Sequence, residues 1–161
     1  MCAEAAKHGG PLELRAFHTQ DAILADEILR ESPEAVRWSV LATQKTLRSQ
    51  GVCGLISERD GLATGFLLAR QVADEGEILN LAVNPACRRH GDGSALVKRL
   101  LLTFRQRGVT RVFLEVRESN AGGLAFYERL GFQRKGVRES YYRDPVEAAV
   151  LMEACTKEFT A

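Results

Sequence analysis

The stretch that decides the fold begins with Leu81-Ala82-Val83-Asn84-Pro85 and continues, after two further residues, with Arg88-Arg89-His90-Gly91-Asp92-Gly93-Ser94. The first part ends a predicted strand, and Ser94 opens a predicted amphipathic helix that runs to Arg107. Glycines let backbone amides approach an anion, and a helix N-terminus supplies positive potential. The loop is therefore a candidate pyrophosphate site. The alternative is a connection that needs two glycines in order to turn, and the spacing alone favours neither.

This loop differs from the two common nucleotide-binding loops. No Gly-Lys-Ser or Gly-Lys-Thr follows it, so it is not a Walker loop. The strands before it are predicted hairpins, so it is not the glycine-rich turn of a parallel Rossmann unit. Any anion that it binds must be held in another structural setting.

Upstream of the loop, the chain begins with a strand and two helices. Residues 12–17 alternate as a short strand, and Thr19 or Asp21 is placed to cap a helix that ends near Arg30. The segment Ser32-Pro33-Glu34 begins a second predicted helix, which runs to about residue 48. Two helices are thus expected before the main part of the sheet.

Three consecutive strands follow. Residues 51–57 and 62–72 are apolar runs separated by Glu58-Arg59-Asp60-Gly61, whose Asp-Gly step is a strong hairpin signal. A third strand covers residues 78–83 and is entered through the turn Asp74-Glu75-Gly76. This order predicts an antiparallel meander that leads directly into the loop.

Downstream of the amphipathic helix, strands and helices continue to alternate. Residues 111–117 alternate as a strand, and residues 121–130 form a short helix that Gly131 stops. Residues 132–137 and 146–155 supply two more strands. The element order predicts a mixed α/β, or α+β, architecture.

The bulk properties indicate one globular domain. The chain has 161 residues, 22 Lys plus Arg against 21 Asp plus Glu, and a net charge of +1. Bulk charge therefore gives no reason to expect nucleic-acid binding, and no apolar run approaches the roughly 20 residues needed to cross a membrane. We expect a flexible leader over residues 1–11 and a single domain over residues 12–161.

The cysteines and histidines give no metal-binding pattern, so we expect no metal. The N-terminus also lacks the apolar core of a secretory signal, and we expect a cytoplasmic protein with reduced thiols. The residues concerned are widely separated: Cys2, Cys53, Cys87, Cys155, His8, His18 and His90.

Three motifs in order, residues 81–85, 88–93 and 120–132, resemble the acetyl-CoA core of GNAT superfamily N-acetyltransferases. The resemblance implies a mixed, mostly antiparallel sheet flanked by helices, with acetyl-CoA as co-substrate. In that family the loop wraps the pyrophosphate, the preceding strand pairs with the pantetheine arm, and the asparagine hydrogen-bonds that arm. It thereby implies these cofactor-binding residues: Leu81, Ala82, Val83, Arg88, Arg89, His90, Gly91, Asp92, Gly93, Ser94 and Asn120.

Residues 114–120, residues 125–132 and the pair Tyr141-Tyr142 are similar to the RimI branch of this superfamily. RimI-like enzymes acetylate the N-terminal alanine of a small-subunit ribosomal protein. The resemblance implies that Tyr141 and Tyr142 line the groove for the acceptor. An aromatic pair near a strand end is also common as packing, and that alternative stays open.

Acetyl transfer to an amine needs a base for the ammonium proton and benefits from an acid for the departing thiolate. The RimI-like match implies Glu115 as base, acting directly or through water, and Tyr127 as acid. The alternative for Glu115, in mid-strand, is a salt bridge to a neighbour such as Arg117. The alternative for Tyr127 is helix packing, and Asn120 can cap the same helix.

Two features depart from the family pattern. Asp92 stands where an apolar or basic residue is usual, so its carboxylate either competes with the pyrophosphate or points outward and interacts favourably with the helix N-terminus. Gly122 and Gly123 replace residues that are often alanine, which predicts a loose helix start.

The sequence predicts an acetyl-CoA-dependent N-acetyltransferase that acetylates a protein N-terminal amine by direct transfer in a ternary complex. The expected partners are acetyl-CoA and a protein N-terminus, with no nucleic acid and no membrane. Two alternatives stay open. One is the same chemistry on a small amine or an internal lysine, and the other is a non-catalytic acyl-CoA-binding sensor.

Overall fold

Seven strands in one sheet and four α-helices form the fold of residues 9–159, the part of the chain that the computed structural model describes. The strands are β1 (Glu13–Ala16), β2 (Val52–Arg59), β3 (Leu62–Val72), β4 (Glu75–Val83), β5 (Arg111–Arg117), β6 (Gln133–Arg143) and β7 (Val146–Cys155). The helices are α1 (Ala22–Arg30), α2 (Val40–Leu47), α3 (Asp92–Gln106) and α4 (Ala121–Arg129). Cys2, His8 and most of the predicted leader lie outside the described residues, so the leader stays a prediction.

The sheet is mixed and mostly antiparallel. Its strand order is β1-β2-β3-β4-β5-β7-β6. The pairs β1/β2, β5/β7 and β6/β7 are antiparallel, whereas β4 and β5 run parallel. With its flanking helices, this is the GNAT architecture that the sequence predicted.

Contacts divide the chain into two compact units. The first comprises the chain up to Ala69 together with Asn80–Leu100. Its core includes Phe17 and Phe66, whose rings meet edge to face at 6.0 Å between centroids. A Cβ at Gly54 would lie 2.7 Å from the Phe17 Cβ, so close packing requires glycine there.

The second unit comprises Arg70–Leu79 and Leu101–Ala161. Its core is built by the inward residues of β5 and β7 together with Phe104 from the end of α3. A Cβ at Gly76 would lie 2.5 Å from the Phe104 ring, so this glycine lets the helix pack directly on β4. Val112, Leu114 and Val116 alternate inward along β5, as predicted.

The predicted second helix is wrong over its first half. Only Val40–Leu47 is helical, and Ser39 caps it by accepting the N–H of Ala42 at 3.2 Å. Residues 31–39 instead follow tertiary contacts. Ser32 is buried, and the carbonyl of Val36 accepts the Asn80 side chain at 3.0 Å. Contacts with distant residues override the local helix signal of Ser32-Pro33-Glu34.

Two smaller predictions also need correction. Neither Thr19 nor Asp21 caps α1 with its side chain; the two residues begin and end a 3-10 turn, and Asp21 accepts the N–H of His18. The turn before β4 lies at Ala73 and Asp74, with Ala73 at φ 51°, so Glu75 already belongs to the strand. By contrast, the Asp60-Gly61 hairpin is confirmed, with φ 52° and 75° at its two residues.

Candidate active site

The predicted anion loop ends where α3 begins. Gly91 has φ 89° and Arg89 has φ 66°, so two residues in the left-handed region turn the chain into the helix. The carbonyl of Gly91 accepts the N–H of Ala95 at 2.9 Å. The N–H groups of Asp92, Gly93 and Ser94 belong to the first helical turn, where intrahelical acceptors are lacking. Together with the helix dipole, these groups provide an anion-binding surface.

Asp92 does not behave as either sequence interpretation expected. Its side chain is fully buried and neither frames an anion nor points outward. Arg59 donates to its carboxylate from Nη2 at 2.8 Å and from Nε at 3.1 Å, and Thr64 donates to Oδ2 at 2.5 Å. Burial raises the pKa of Asp92, but these hydrogen bonds outweigh burial and the net pKa is lowered. The carboxylate is thus ionised and neutralised beneath the loop.

Arg88 also binds within the protein. Its Nε donates to the carbonyl of Val83 at 3.0 Å, and its Nη2 donates to the Ser32 hydroxyl at 3.1 Å and to Glu34. His90 Nδ1 lies 3.2 Å from the carbonyl of Cys87. The Arg88 side chain is therefore committed to contacts within the protein.

Leu81, Ala82 and Val83 lie at the end of β4. Ala82 is buried, whereas Leu81 and Val83 are half-buried, as in a strand with one face packed. The parallel pairing of β4 with β5 joins Glu75–Glu77 to Arg111–Phe113. Residues 81–83 lie beyond the part of β4 for which this pairing is seen.

Glu115 lies in the middle of β5 with its side chain 17% exposed. Arg138 on β6 forms an ion pair with it, at 3.1 Å between Nε and Oε1. Interaction with the same carboxylate is the main cause of the raised pKa of Tyr141. The salt-bridge interpretation is thus realised, with Arg138 rather than Arg117 as partner.

Tyr141 and Tyr142 meet edge to face, with ring centroids 5.1 Å apart. The Arg117 guanidinium lies 4.1 Å from the centroid of the Tyr142 ring. Burial, followed by the negative charge of Glu115, raises the pKa of Tyr142 to about 12. Tyr142 thus packs on both Tyr141 and Arg117, and the negative charge of Glu115 acts on both tyrosines.

Arg117 is held by Glu147 of β7, which also accepts the backbone N–H of Ser119. The hydrogen bonds from Ser119 are the main cause of the lowered pKa of Glu147. This contact fixes the chain at the end of β5, immediately before Asn120. It thereby links β7 to the start of α4.

Asn120 and Tyr127 both serve structural roles in α4. The Asn120 Oδ1 accepts the N–H of Gly123 at 2.8 Å, so the predicted cap is confirmed. Tyr127 is buried and packs edge to face on Phe126 and Phe132, at 5.0 and 5.5 Å between centroids. Burial raises the pKa of Tyr127. Its phenol is consequently protonated at neutral pH and remains able to donate.

The contacts of three arginines were not predicted from the sequence. Arg59 ends the strand β2 before a hairpin. In the sequence it is simply a positive charge beside an apolar run, which does not indicate a functional role. Arg138 lies in the part of β6 that was predicted as loop, because the strand was expected to end at residue 137. Arg117 was considered only as a partner for Glu115.

The predicted site residues are divided between the two units. Residues 81–94 belong to the first unit, whereas the second contains Glu115, Asn120, Tyr127, Tyr141 and Tyr142.

A model of the acetyltransferase (GNAT) family matches residues 18–132. The chain belongs to this family. It is 40% identical over 96 residues to the [ribosomal protein bS18]-alanine N-acetyltransferase of Escherichia coli K12, covering 58% of this chain and 65% of that protein. The aligned part thus spans just under two thirds of that relative's length.

Two further GNAT-family similarities cover more of the chain. The protein of the same name from Haemophilus influenzae is 32% identical over 130 residues, which are 79% of this chain and 87% of the relative. The crystal structure of the ribosomal-protein-S18-alanine N-acetyltransferase from Escherichia coli superposes with a TM-score of 0.80 and 30% identity. It covers 94% of this chain and 97% of that structure. The predicted RimI-like resemblance is confirmed.

Two other classes of site concern residues 9–159, the described part of the chain. Within this range, no helix has both the length and the apolar character that crossing a membrane requires. Nor does this range contain three His, Cys, Asp or Glu side chains grouped so that they could hold a metal ion.

Proposed function

We propose that this GNAT protein transfers the acetyl group of acetyl-CoA to a protein N-terminal amine, specifically the N-terminal alanine of a small-subunit ribosomal protein. The observation that carries the proposal is the carboxylate of Glu115 in mid-strand, which pairs with Arg138 and whose charge acts on Tyr141 and Tyr142. The choice of acceptor follows the relatives, which are named as alanine N-acetyltransferases of ribosomal protein bS18 or S18. We place the reaction in the cytoplasm, where such an acceptor is made.

The loop before α3 fits an acetyl-CoA pyrophosphate. Gly91 has open space around the position of a Cβ, and the first-turn N–H groups lie next to it. The one acidic side chain of the loop, Asp92, is buried and neutralised by Arg59. We assign the pyrophosphate to the backbone of residues 91–94 and the pantetheine arm to residues 81–83, with acetyl-CoA supplying the reactive thioester.

In this mechanism Glu115 removes a proton from the acceptor ammonium, directly or through one water. An N-terminal amine has a reference pKa of about 7.7 to 8.0, against about 10.4 for lysine, so it needs little help to become neutral. Tyr127 donates its phenolic proton to the departing thiolate. The raised pKa of Tyr127 suits a group that must remain protonated until that moment.

The test is mass-spectrometric acetyl transfer from acetyl-CoA to three acceptors. These are an alanine-starting ribosomal peptide with a free N-terminus, its N-blocked lysine-containing counterpart, and a polyamine. We expect fast labelling of the free N-terminus alone. Labelling of the lysine or the polyamine instead would keep acetyl transfer and discard the acceptor. Binding of acetyl-CoA without transfer to any of the three would favour an acyl-CoA sensor.

A further inference from the structure

We propose that the Arg59–Asp92 ion pair is a positioning pair that holds the loop before α3 in the shape that binds the pyrophosphate. This inference rests on the proposed function, since it assigns two further residues to the acetyl-CoA site. Neither residue needs to touch the co-substrate. Their effect passes through the backbone of residues 90–92.

The contacts of Arg59 bracket the turn. Its Nη2 donates to the carbonyl of His90 at 3.1 Å and to the carboxylate of Asp92 at 2.8 Å. Gly91, with φ 89°, stands between these two acceptors. The Nη1 of Arg59 donates to the carbonyl of Gly10 at 2.7 Å, which fixes the guanidinium from the other side. One rigid fork thus sets the distance between the residues that flank the left-handed glycine.

Burial makes this arrangement costly to abandon. The Asp92 side chain is 0% exposed and that of Arg59 is 13% exposed. Asp92 also accepts a hydrogen bond from the Thr64 hydroxyl, which lies 2.9 Å from that of Ser57. If the loop moved, Asp92 would leave these donors or a buried cation would lose its partner. The N–H groups of the first helical turn therefore keep one direction before any ligand arrives.

The same unit contains a matched pair that lies outside the loop. Arg15 donates to both carboxylate oxygens of Asp21, at 2.7 and 3.0 Å, and Asp21 is 5% exposed. Burial raises the pKa of Asp21, and hydrogen bonds from Arg15 and His18 lower it to a net value below normal. Chemically this is the counterpart of Arg59–Asp92, so Asp21→Asn controls for the general cost of losing a buried carboxylate.

The experiment compares acetyl-CoA with acetylpantetheine, which carries the same thioester but no pyrophosphate. For wild type, Asp92→Asn, Arg59→Lys and Asp21→Asn, we would measure kcat/KM with both donors, the Kd of acetyl-CoA by calorimetry, and the melting temperature. We expect Asp92→Asn to lower the ratio of kcat/KM with acetyl-CoA to kcat/KM with acetylpantetheine by about tenfold. The reason is that charged hydrogen bonds to the loop are lost. Arg59→Lys should lower it too, since lysine keeps the charge but not the fork. Asp21→Asn should lower the melting temperature and leave the ratio unchanged.

A ratio that stays at the wild-type value in both Asp92→Asn and Arg59→Lys would overturn the inference, whatever happens to the melting temperature. Retention by Arg59→Lys alone would also overturn it, because the pair would then serve only to neutralise charge. If wild type binds acetyl-CoA without transferring acetyl, the proposed function fails, and the Kd values still decide the role of the pair. If wild type does not bind acetyl-CoA, both fail.

Discussion

The anion loop and strand β6 are held in place by opposite means. Below the loop, a buried carboxylate and a nearly buried guanidinium fix the backbone at the start of α3. Along β6, ten of the eleven residues are exposed, and the pairing with β7 shifts register twice. Under the proposed function, co-substrate binding therefore depends on the fold itself. Acceptor recognition then depends on surface side chains such as Arg138 and Tyr141.

The largest effect is expected at Glu115, where a substitution should impair acetyl transfer without changing acetyl-CoA binding. Glu115→Gln should lower kcat by about 10³-fold, because an amide cannot take the ammonium proton. The Kd of acetyl-CoA should stay at the wild-type value, since the loop belongs to the other unit. Glu75→Gln is the control, because it removes a carboxylate that pairs with an arginine at the exposed start of β4. Wild-type turnover in Glu115→Gln would remove this residue from the mechanism.

The next prediction concerns Tyr127 and pH. Tyr127→Phe should lower kcat by about 10²-fold without weakening acetyl-CoA binding, since only the phenolic proton is lost. In wild type, kcat/KM for an N-terminal amine should rise as pH passes through about 8 and stay level to about 10. No alkaline decline is expected in that range, because burial raises the pKa of Tyr127 and keeps the phenol protonated. A decline starting below pH 9 that is absent in Tyr127→Phe would contradict this.

A smaller effect is expected from the exposed side chain that distinguishes β6. Arg138→Gln should raise the KM for the peptide by about fivefold at most, because the Arg138 side chain is 58% exposed. The Kd of acetyl-CoA should not change. Arg134→Gln is the matched control, since Arg134 also lies on β6 and pairs with a carboxylate, Glu128. Equal kinetic effects of the two variants would show that β6 contributes only general positive charge.

The smallest expected effect is on stability, at the two adjacent glycines that begin α4. Gly122→Ala should stabilise the protein by up to about 1 kcal/mol, because alanine favours the helix and the nearest heavy atom, Asn120 Oδ1, is 3.9 Å away. Gly123→Ala should destabilise it, because its Cβ would lie 2.6 Å from the Asn120 side chain that caps the helix. Urea unfolding of both variants measures the difference. Equal shifts of the two midpoints in the same direction would refute this account of the cap.

Signals that depend on near neighbours in the sequence predicted the fold well. The Asp60-Gly61 hairpin needs only positive φ at two adjacent residues, and α3 follows from apolar residues at helical spacing. The Asn120 cap is likewise local. The failures depended on distant residues. Residues 31–39 are held by Asn80 and Arg88, and their conformation cannot be read from the segment itself.

In the candidate site, too, the features set by nearby residues were predictable and those set by distant residues were not. Alternation and helical spacing placed Glu115 on a strand and Tyr127 on a helix, which β5 and α4 confirm. The catalytic roles that the family motifs imply stay predictions. The position of Asp92 could not be foreseen, because its partners, Arg59 and Thr64, lie 33 and 28 residues away in the sequence. Arg138 was missed because an exposed strand with bulges has neither the alternation nor the apolar content that marks a strand.

Strand β6 therefore also bears on how this protein changes over evolutionary time. Substitutions at exposed positions usually alter the folding free energy by less than about 0.5 kcal/mol. Mutations along β6 can accordingly accumulate and be sampled by selection without threatening the folded state. A change at Asp92 or Arg59 has no such latitude. New acceptor preferences are thus expected to arise through β6 in descendants that keep the same acetyl donor.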